Sequence, residues 1–171
     1  MATFQKAFDL MIINEGGYVN HTVAGDRGGQ TYAGIARKFH PRWPGWQLVD
    51  KNDMDNPQLT HLVYDFYQQE YWQAIKGDDI KEQRIAESIF DFAVNAGVGT
   101  AAKLAQLVVG STPDGVIGNN TLEKLNQVEP ELFVTKYALA KVARYTEIVK
   151  RNRSQNKFLV GWLNRTLRSV A

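Results

Sequence analysis

The chain of 171 residues contains no cysteine. This absence excludes disulfide bonds, thiol nucleophiles and thiolate metal ligands. Histidine is also scarce: the three residues His21, His40 and His61 lack the close spacing of a helical zinc-binding pair. We therefore expect no metal site, and no residue pattern implies an organic cofactor.

Long apolar runs are absent as well, so we expect no membrane span. Residues 1–17 contain one cation, Lys6, and no uninterrupted apolar stretch. This pattern predicts an amphipathic helix rather than a secretory signal. If the protein acts outside the cytoplasm, we expect a phage or a secretion system to deliver it. With 44% apolar and 22% charged residues, the composition is typical of a soluble globular protein, and we expect a monomer.

The net charge is only +2, but the charges are unevenly distributed. The first 140 residues hold twelve bases and seventeen acids, whereas the segment from residue 141 onward holds eight bases and one acid, Glu147. A basic end on an acidic body predicts attraction to an anionic polymer. The alternative is a solvated helix face. Nucleic acid is the remaining class of partner for the basic end, and we do not expect it. The eight bases are Lys141, Arg144, Lys150, Arg151, Arg153, Lys157, Arg165 and Arg168.

Helical periodicity dominates the chain, which predicts a mainly α fold of the α+β type. Residues 18–31 are rich in Gly, Thr, Asn and Asp, and predict a small N-terminal β-hairpin or sheet. The predicted helices cover residues 3–15, 33–39, a long helix opened by Asn56-Pro57, 82–95, a helix from 100 to 110, 121–127, 130–150 and 156–168.

Glu15 lies four residues after Met11, so it projects from the apolar face of the first predicted helix, in its last turn. Burial and the negative end of the helix dipole both disfavour an ionised carboxylate there, and both raise its expected pKa. A carboxylic acid protonated near neutral pH is what a glycosidase needs to protonate a glycosidic oxygen. The alternative is an exposed residue at a helix end.

Asp26 and Thr31 follow eleven and sixteen residues after Glu15. A hairpin that crosses back over the helix end would bring both residues across a cleft from the acid. One acid, one ionised carboxylate and a hydroxyl that orients water form a minimal glycosidase set. Beside glycines at 25, 28 and 29, however, an aspartate such as Asp26 is more commonly a turn former.

Two stretches, Glu15-Gly16-Gly17-Tyr18 and residues 26–35 (DRGGQTYAGI), closely resemble the motif of glycoside hydrolase family 108, the N-acetylmuramidases. The resemblance implies a lysozyme-like fold whose small sheet lines the active-site cleft, with Glu15 as the catalytic acid. The order Glu, Asp, Thr is also similar to the triad of phage-type lysozymes, which supports Asp26 and Thr31 as partners. The segment from His21 to Gly25 departs from the family pattern.

The second half resembles the companion peptidoglycan-binding region of the same family, through residues 90–97 (FDFAVNAG) and 114–122 (DGVIGNNTL). We therefore expect a lysozyme-like catalytic part at residues 1–80 and a helical peptidoglycan-binding part at 81–171, packed as one unit. Asp91 and Asn95 share a helix face and are candidate contacts for the substrate. The alternative is a pair that caps or stabilises the helix.

Five aromatic residues offer flat surfaces on which sugar rings can stack. Tyr18, Trp43 and Trp46 are favoured because they lie in or beside predicted loops, where binding residues concentrate. Tyr32 is a further candidate, although aromatic residues, including Trp72, are more often part of the core.

The resemblance implies a peptidoglycan hydrolase that cleaves between N-acetylmuramic acid and N-acetylglucosamine and lyses bacterial walls, with anionic wall polymers as further partners of the basic end. A lytic transglycosylase that uses Glu15 alone is the second interpretation. A non-catalytic wall-binding or secretion accessory protein is the third. An endolysin, a wall-remodelling enzyme and a secreted antimicrobial protein would share these sequence features.

Overall fold

The first helix, α1 (Phe4–Asn14), forms as its apolar stripe predicts. Its buried residues recur at helical spacing and are Phe4, Ala7, Phe8, Met11 and Ile12. The computed structural model describes residues 1–14, 16–22 and 29–170.

A three-stranded antiparallel sheet follows α1, in the order β1 (Asn20–Thr22), β2 (Gln30–Tyr32) and β3 (Ile35–Ala36). The small N-terminal sheet expected from the sequence is therefore present. The turn between β2 and β3 consists of Ala33 and Gly34, whose φ angles are 47° and 81°. Two successive residues with positive φ are typical of the tight turn that matches the twist of a hairpin.

The helix predicted over residues 33–39 is wrong. The Ala33-Gly34 turn reverses the chain so that Tyr32 pairs with Ile35, and both of these side chains are buried. Only one helical turn follows, in which the amides of Phe39 and His40 donate to the carbonyl oxygen of Ala36 over 3.1 and 3.0 Å. The burial of Tyr32 and Ile35 in the hairpin thus outweighed the helical propensity of this segment.

Seven more α-helices lie in the described part of the chain. Asn56 caps α3 by accepting a hydrogen bond from the amide of Gln58 at 3.0 Å, and Pro57 occupies the first helical turn, as the sequence predicts. Thr100, the predicted start of a helix, lies inside α5 instead. The helices are α2 (Trp46–Asp50), α3 (Pro57–Tyr67), α4 (Gln83–Ala96), α5 (Val98–Val109), α6 (Asn119–Leu125), α7 (Pro130–Arg151) and α8 (Asn156–Arg168).

Contacts divide the chain into an N-terminal unit, Phe4–Glu70, and a C-terminal unit, Met1–Thr3 with Tyr71–Ala171. In the N-terminal unit, α1, α2, α3 and the sheet surround an aromatic core. In the C-terminal unit, α4, α5 and α7 pack together. The amide of Ala2 donates to the carbonyl oxygen of Ile80 at 2.9 Å, which ties the first residues to this second unit. The division at residue 80 expected from the sequence stays a prediction.

Candidate active site

The C-terminal end of α1 has a defined cap. The amide of Gly17 donates to the carbonyl oxygen of Ile12 at 2.8 Å, and that of Gly16 to Ile13 at 3.1 Å. This is the Schellman pattern, which needs a residue in the left-handed region, and Gly16 has a φ of 87°. The two glycines therefore end the helix where the sequence indicates.

Two of the three predicted catalytic residues, Glu15 and Asp26, lie outside the described residues. The structure places the residues on both sides of Glu15, namely the last residue of α1 and the capping Gly16. Their proposed roles stay predictions from the sequence.

Thr31, the third predicted catalytic residue, lies in the central strand and is half-buried. It pairs with His21 on β1 and with Ala36 on β3. Directly opposite residues of an antiparallel pair point to the same face about 5 Å apart, so these three form one row. The exposed His21 is thus a neighbour of Thr31, and the sequence did not single it out as a residue of the catalytic site. The hairpin register would have indicated it.

Arg37 links this sheet to α2, and the sequence did not single it out. Its guanidinium donates to both carboxylate oxygens of Asp50, at 2.5 and 2.8 Å, and to the side-chain oxygen of Gln30 at 2.8 Å. The same group lies over the ring of Trp46, 5.1 Å from its centroid. The hydrogen bonds from Arg37 lower the pKa of the Asp50 carboxyl. Arg37 therefore supports the strand that carries Thr31.

The predicted aromatic contacts differ in exposure. Tyr18 is 41% exposed, whereas Tyr32, Trp43 and Trp46 are buried. The rings of Trp43 and Trp46 meet edge to face at 5.1 Å, and Tyr32 stacks on Trp43 at 6.2 Å. This packing favours a core role for the three buried rings. Of the four candidates, only Tyr18 is exposed enough for a ring to stack on a sugar. Its contact with the substrate stays a prediction.

Asp91 lies on α4 and forms an ion pair with Arg165 of α8, at 2.9 and 3.2 Å, with both side chains no more than 20% exposed. Nearby, the buried Lys141 of α7 lies over the rings of Phe92 and Tyr137, 5.4 and 5.0 Å from the centroids. Burial lowers the pKa of Lys141 to about 8. The pairing favours a structural role for Asp91 in joining three helices.

Asn95, the other residue predicted to contact the substrate on α4, is exposed. Unlike Asp91, which pairs with Arg165, Asn95 has a side chain that a substrate can reach. Its contact with the substrate stays a prediction.

The Asp-Gly element at residues 114–115 has an internal function. The buried side chain of Gln106 donates to Asp114 at 2.7 Å and accepts from the amide of Gly115 at 2.9 Å. The hydrogen bond from Gln106 is the main cause that lowers the pKa of the Asp114 carboxyl. This contact fixes the turn before α6.

Within residues 1–14, 16–22 and 29–170, no group of three or more His, Asp or Glu side chains is placed to bind a metal ion. No helix in the same part of the chain combines the length and hydropathy that a membrane crossing requires.

Comparison with known proteins decides the family. The family model described as "Glycosyl hydrolase 108" matches residues 8–97, which is more than half of the chain. The chain belongs to glycosyl hydrolase family 108. A second family model, described as "Predicted Peptidoglycan domain", matches residues 100–167.

This family 108 chain is also similar to a solved structure, that of SagA from Brucella abortus. The two are 29% identical over 98% of this chain and 91% of SagA, with a TM-score of 0.75. No curated protein matches the chain.

Together, the matches make this family 108 protein a glycosidase that acts on peptidoglycan, at the cell wall or in the periplasm. They also confirm the expected fold class, a mainly α, lysozyme-like α+β fold with a small sheet. The peptidoglycan-binding region expected in the second half is confirmed as well.

Proposed function

We propose that this protein is an N-acetylmuramidase, a lysozyme that hydrolyses the bond between N-acetylmuramic acid and N-acetylglucosamine and thereby lyses bacterial cell walls. The observation that carries this proposal is the family 108 match over residues 8–97, which includes both the end of α1 and the small sheet. Within that region, the motif around Glu15 is the most specific part of the resemblance.

Glu15 is the proposed general acid. It directly follows the last residue of α1, and the last turn of that helix contains no basic side chain that would offset the negative end of the helix dipole. A nearby negative potential raises the pKa of a carboxyl group, because it disfavours the ionised form. Glu15 then donates its proton to the glycosidic oxygen as the bond to the muramic acid breaks.

Asp26 is the proposed ionised partner, which stabilises the positive charge that develops on the sugar or activates water. Thr31 orients that water or a sugar hydroxyl. The position of Thr31 in the central strand supports this role, since pairing on both sides holds its backbone in place. The exposed His21 beside it adds a group that can hydrogen-bond to the same ligand.

In this proposal, residues 1–80 form the catalytic part and residues 81–171 hold the enzyme on peptidoglycan. Three of the eight bases at the C-terminal end have partners within the chain or are buried: Lys141 is in the core, Arg165 pairs with Asp91, and Lys150 contacts Glu147 at 3.1 Å. The exposed cations of the segment that form no ion pair with a described residue are the proposed contacts for anionic wall polymers, and they are Arg151, Arg153, Lys157 and Arg168.

Product analysis tests the proposal. Purified peptidoglycan is digested, the products are reduced with borohydride, and their masses are determined. A muramidase produces reduced muramic acid at the new ends. The variant Glu15→Gln should produce no such ends, whereas Asp9→Asn, which removes a carboxylate from the exposed face of α1, should produce them normally.

Three results would contradict the proposal. Anhydro-muramic acid at the new ends identifies a lytic transglycosylase. Reduced glucosamine ends identify a glucosaminidase. Binding to peptidoglycan without any new ends identifies a non-catalytic wall-binding protein.

A further inference from the structure

The N-terminal unit contains a groove of about 760 Å³ that the catalytic proposal does not use. Two chain segments form it, residues 38–44 before α2 and residues 62–70 at the end of α3. Its floor is aromatic: the ring of His40 meets that of Phe66 edge to face at 4.7 Å, and Trp43 lies 6.4 Å from Phe66.

The floor is fixed by packing. The indole Nε1 of Trp43 donates to the carbonyl oxygen of Leu62 at 3.3 Å, which joins the two walls. Gly45 lies against the Trp43 ring so closely that a Cβ atom at this position would lie 2.2 Å from a ring carbon. A pocket whose walls are held in this way before a ligand arrives is a typical small-molecule site.

The rim of the groove is charged, and the two signs are separated. Lys38 and Arg42 lie on the loop wall, while Asp65 and Glu70 lie on the wall formed by α3 and the turn after it. All four side chains are exposed, and none forms an ion pair or hydrogen bond with another described residue. The groove thus has two cations on one lining segment and two anions on the other, and aromatic rings among its lining residues.

We propose that this groove binds the peptide stem of peptidoglycan, with the carboxylates of the stem at Lys38 and Arg42 and the amino group of its diamino acid at Asp65 and Glu70. The inference rests on the proposed function, because it takes peptidoglycan as the substrate. A neutral amino sugar has no charge to match either wall. A stem peptide has both charges, and the methyl groups of its alanines suit the aromatic floor.

The consequence is a preference for glycan strands that carry stems. The stem is attached to muramic acid, the sugar on one side of the bond that a muramidase cleaves. A stem held in the groove would therefore help to position that sugar, and strands without stems would be cleaved less efficiently.

The first test measures binding of a soluble stem peptide, released from peptidoglycan by an amidase, to the full chain by calorimetry. The double variant Lys38→Ala/Arg42→Ala should bind about tenfold more weakly than the wild type, in the range for two charge-assisted contacts at an exposed site. The control Lys6→Ala/Lys51→Ala removes two exposed cations of the same unit outside the groove and should bind normally.

The second test separates the two walls. Acetylation of the amino group of the diamino acid should weaken binding to the wild type about fivefold, and it should have no further effect on Asp65→Asn/Glu70→Gln. Equal affinity of wild type and both double variants for the peptide, or no binding to the wild type, would overturn the proposal. Binding of stem-free glycan in the groove, detected as loss of glycan affinity in both double variants, would overturn it as well.

The third test compares kcat/KM for intact strands with that for strands whose stems were removed. The ratio should fall about tenfold in Lys38→Ala/Arg42→Ala and stay unchanged in the control. Peptide binding needs no bond cleavage, so the two proposals fail separately. Stem binding without muramidase products contradicts the enzymatic proposal alone, whereas muramidase products without stem binding contradict the groove alone.

Discussion

The two units of this protein differ in where their polar side chains are buried. Among the described residues, and apart from tyrosine and tryptophan, every buried polar or charged side chain lies in the C-terminal unit, and none lies in Phe4–Glu70. In the N-terminal unit, the ion pair Arg37–Asp50 is at the surface, with side chains 37% and 50% exposed, and the groove charges have no partners in the described chain. The charged side chains of the Arg37–Asp50 pair and of the groove are therefore accessible to a substrate, while the Asp91–Arg165 pair of the second unit joins two helices.

This contrast affects how a polar residue in a motif is interpreted. Asp91 belongs to a stretch that resembles the family, yet its carboxylate is occupied by Arg165. Thr31 and His21 are opposite each other in a strand pair, where Thr31 is half-buried and His21 is exposed to solvent. A polar residue of the first unit is consequently a better candidate for contact with the substrate than one of the second.

The largest expected effect is on catalysis in the N-terminal unit. Glu15→Gln should lower kcat/KM on peptidoglycan by about 10²- to 10⁴-fold, because an amide cannot donate the proton that the leaving oxygen needs. The free energy of unfolding, measured in urea, should stay within about 0.5 kcal/mol of the wild type. Retained activity would remove the acid assignment.

Trp46→Ala tests whether the buried aromatic residues of the N-terminal unit stabilise its core rather than contact the substrate. Trp46 is 3% exposed, and its Nε1 donates to the carbonyl oxygen of His40 at 2.7 Å. Its loss should cost about 3 to 5 kcal/mol in urea unfolding. The matched variant Tyr18→Ala should cost less than about 1 kcal/mol while lowering kcat/KM several-fold. A Trp46→Ala variant that is stable but inactive would indicate that Trp46 contacts the substrate.

Asp91→Ala tests the internal ion pair of the C-terminal unit. It leaves Arg165 and the buried Lys141 without their acidic partner, so we expect a loss of about 2 to 3 kcal/mol in urea unfolding. Glu147→Ala breaks the exposed contact with Lys150 and should cost less than about 1 kcal/mol. Equal stability of the two variants, with peptidoglycan binding lost only in Asp91→Ala, would make Asp91 a substrate contact.

Lys141 predicts an unusual pH dependence. Its pKa is lowered to about 8 in the folded protein from 10.5, so between these values the unfolded chain binds the additional proton. Stability should therefore rise with pH, by about 2 kcal/mol between pH 8 and 10. Urea unfolding at several pH values measures this, and Lys141→Met should remove the rise. A wild-type stability that stays flat or falls over this range would contradict the prediction.

Other ionisable groups around Lys141 define the usable pH range. Asp91 on α4 and Arg165 on α8 face it, together with Tyr137 and Tyr145 of its own helix. Burial raises the pKa of both tyrosines above 10.0. Their neutral forms stabilise the fold until the tyrosines of the unfolded chain ionise, so stability should decline again above about pH 10.

The smallest effect is expected at the exposed C-terminal cations. Replacing Arg151, Arg153, Lys157 and Arg168 by Gln should weaken adhesion to insoluble walls several-fold and reduce its dependence on salt, with unchanged reaction products. Cosedimentation with purified walls at several salt concentrations measures this.

A matched control replaces four lysines elsewhere in the same unit by Gln, namely the exposed Lys81, Lys103 and Lys136 and the half-buried Lys124. Equal adhesion of the two quadruple variants would leave the basic end as a solvated helix face.

Much of the helical architecture could be predicted, because its signals are local. The apolar stripe of α1, its Gly16-Gly17 stop, and the Asn56-Pro57 start of α3 depend on residues within one or two turns of each other. The helix predicted at 33–39 was wrong because the local helical periodicity was outweighed by strand pairing. Pairing between β2 and β3 buries Tyr32 and Ile35.

The candidate site divides in the same way. The sequence by itself determined the family motif, the acid expected at Glu15 and the capped helix end before it, since these depend on residue types at fixed short spacings. Only the tertiary structure decided that Asp91 pairs with Arg165, 74 residues away, that His21 stands beside Thr31, and that Trp46 is core. Such contacts depend on which helices and strands meet, and a single sequence does not encode that in any local pattern.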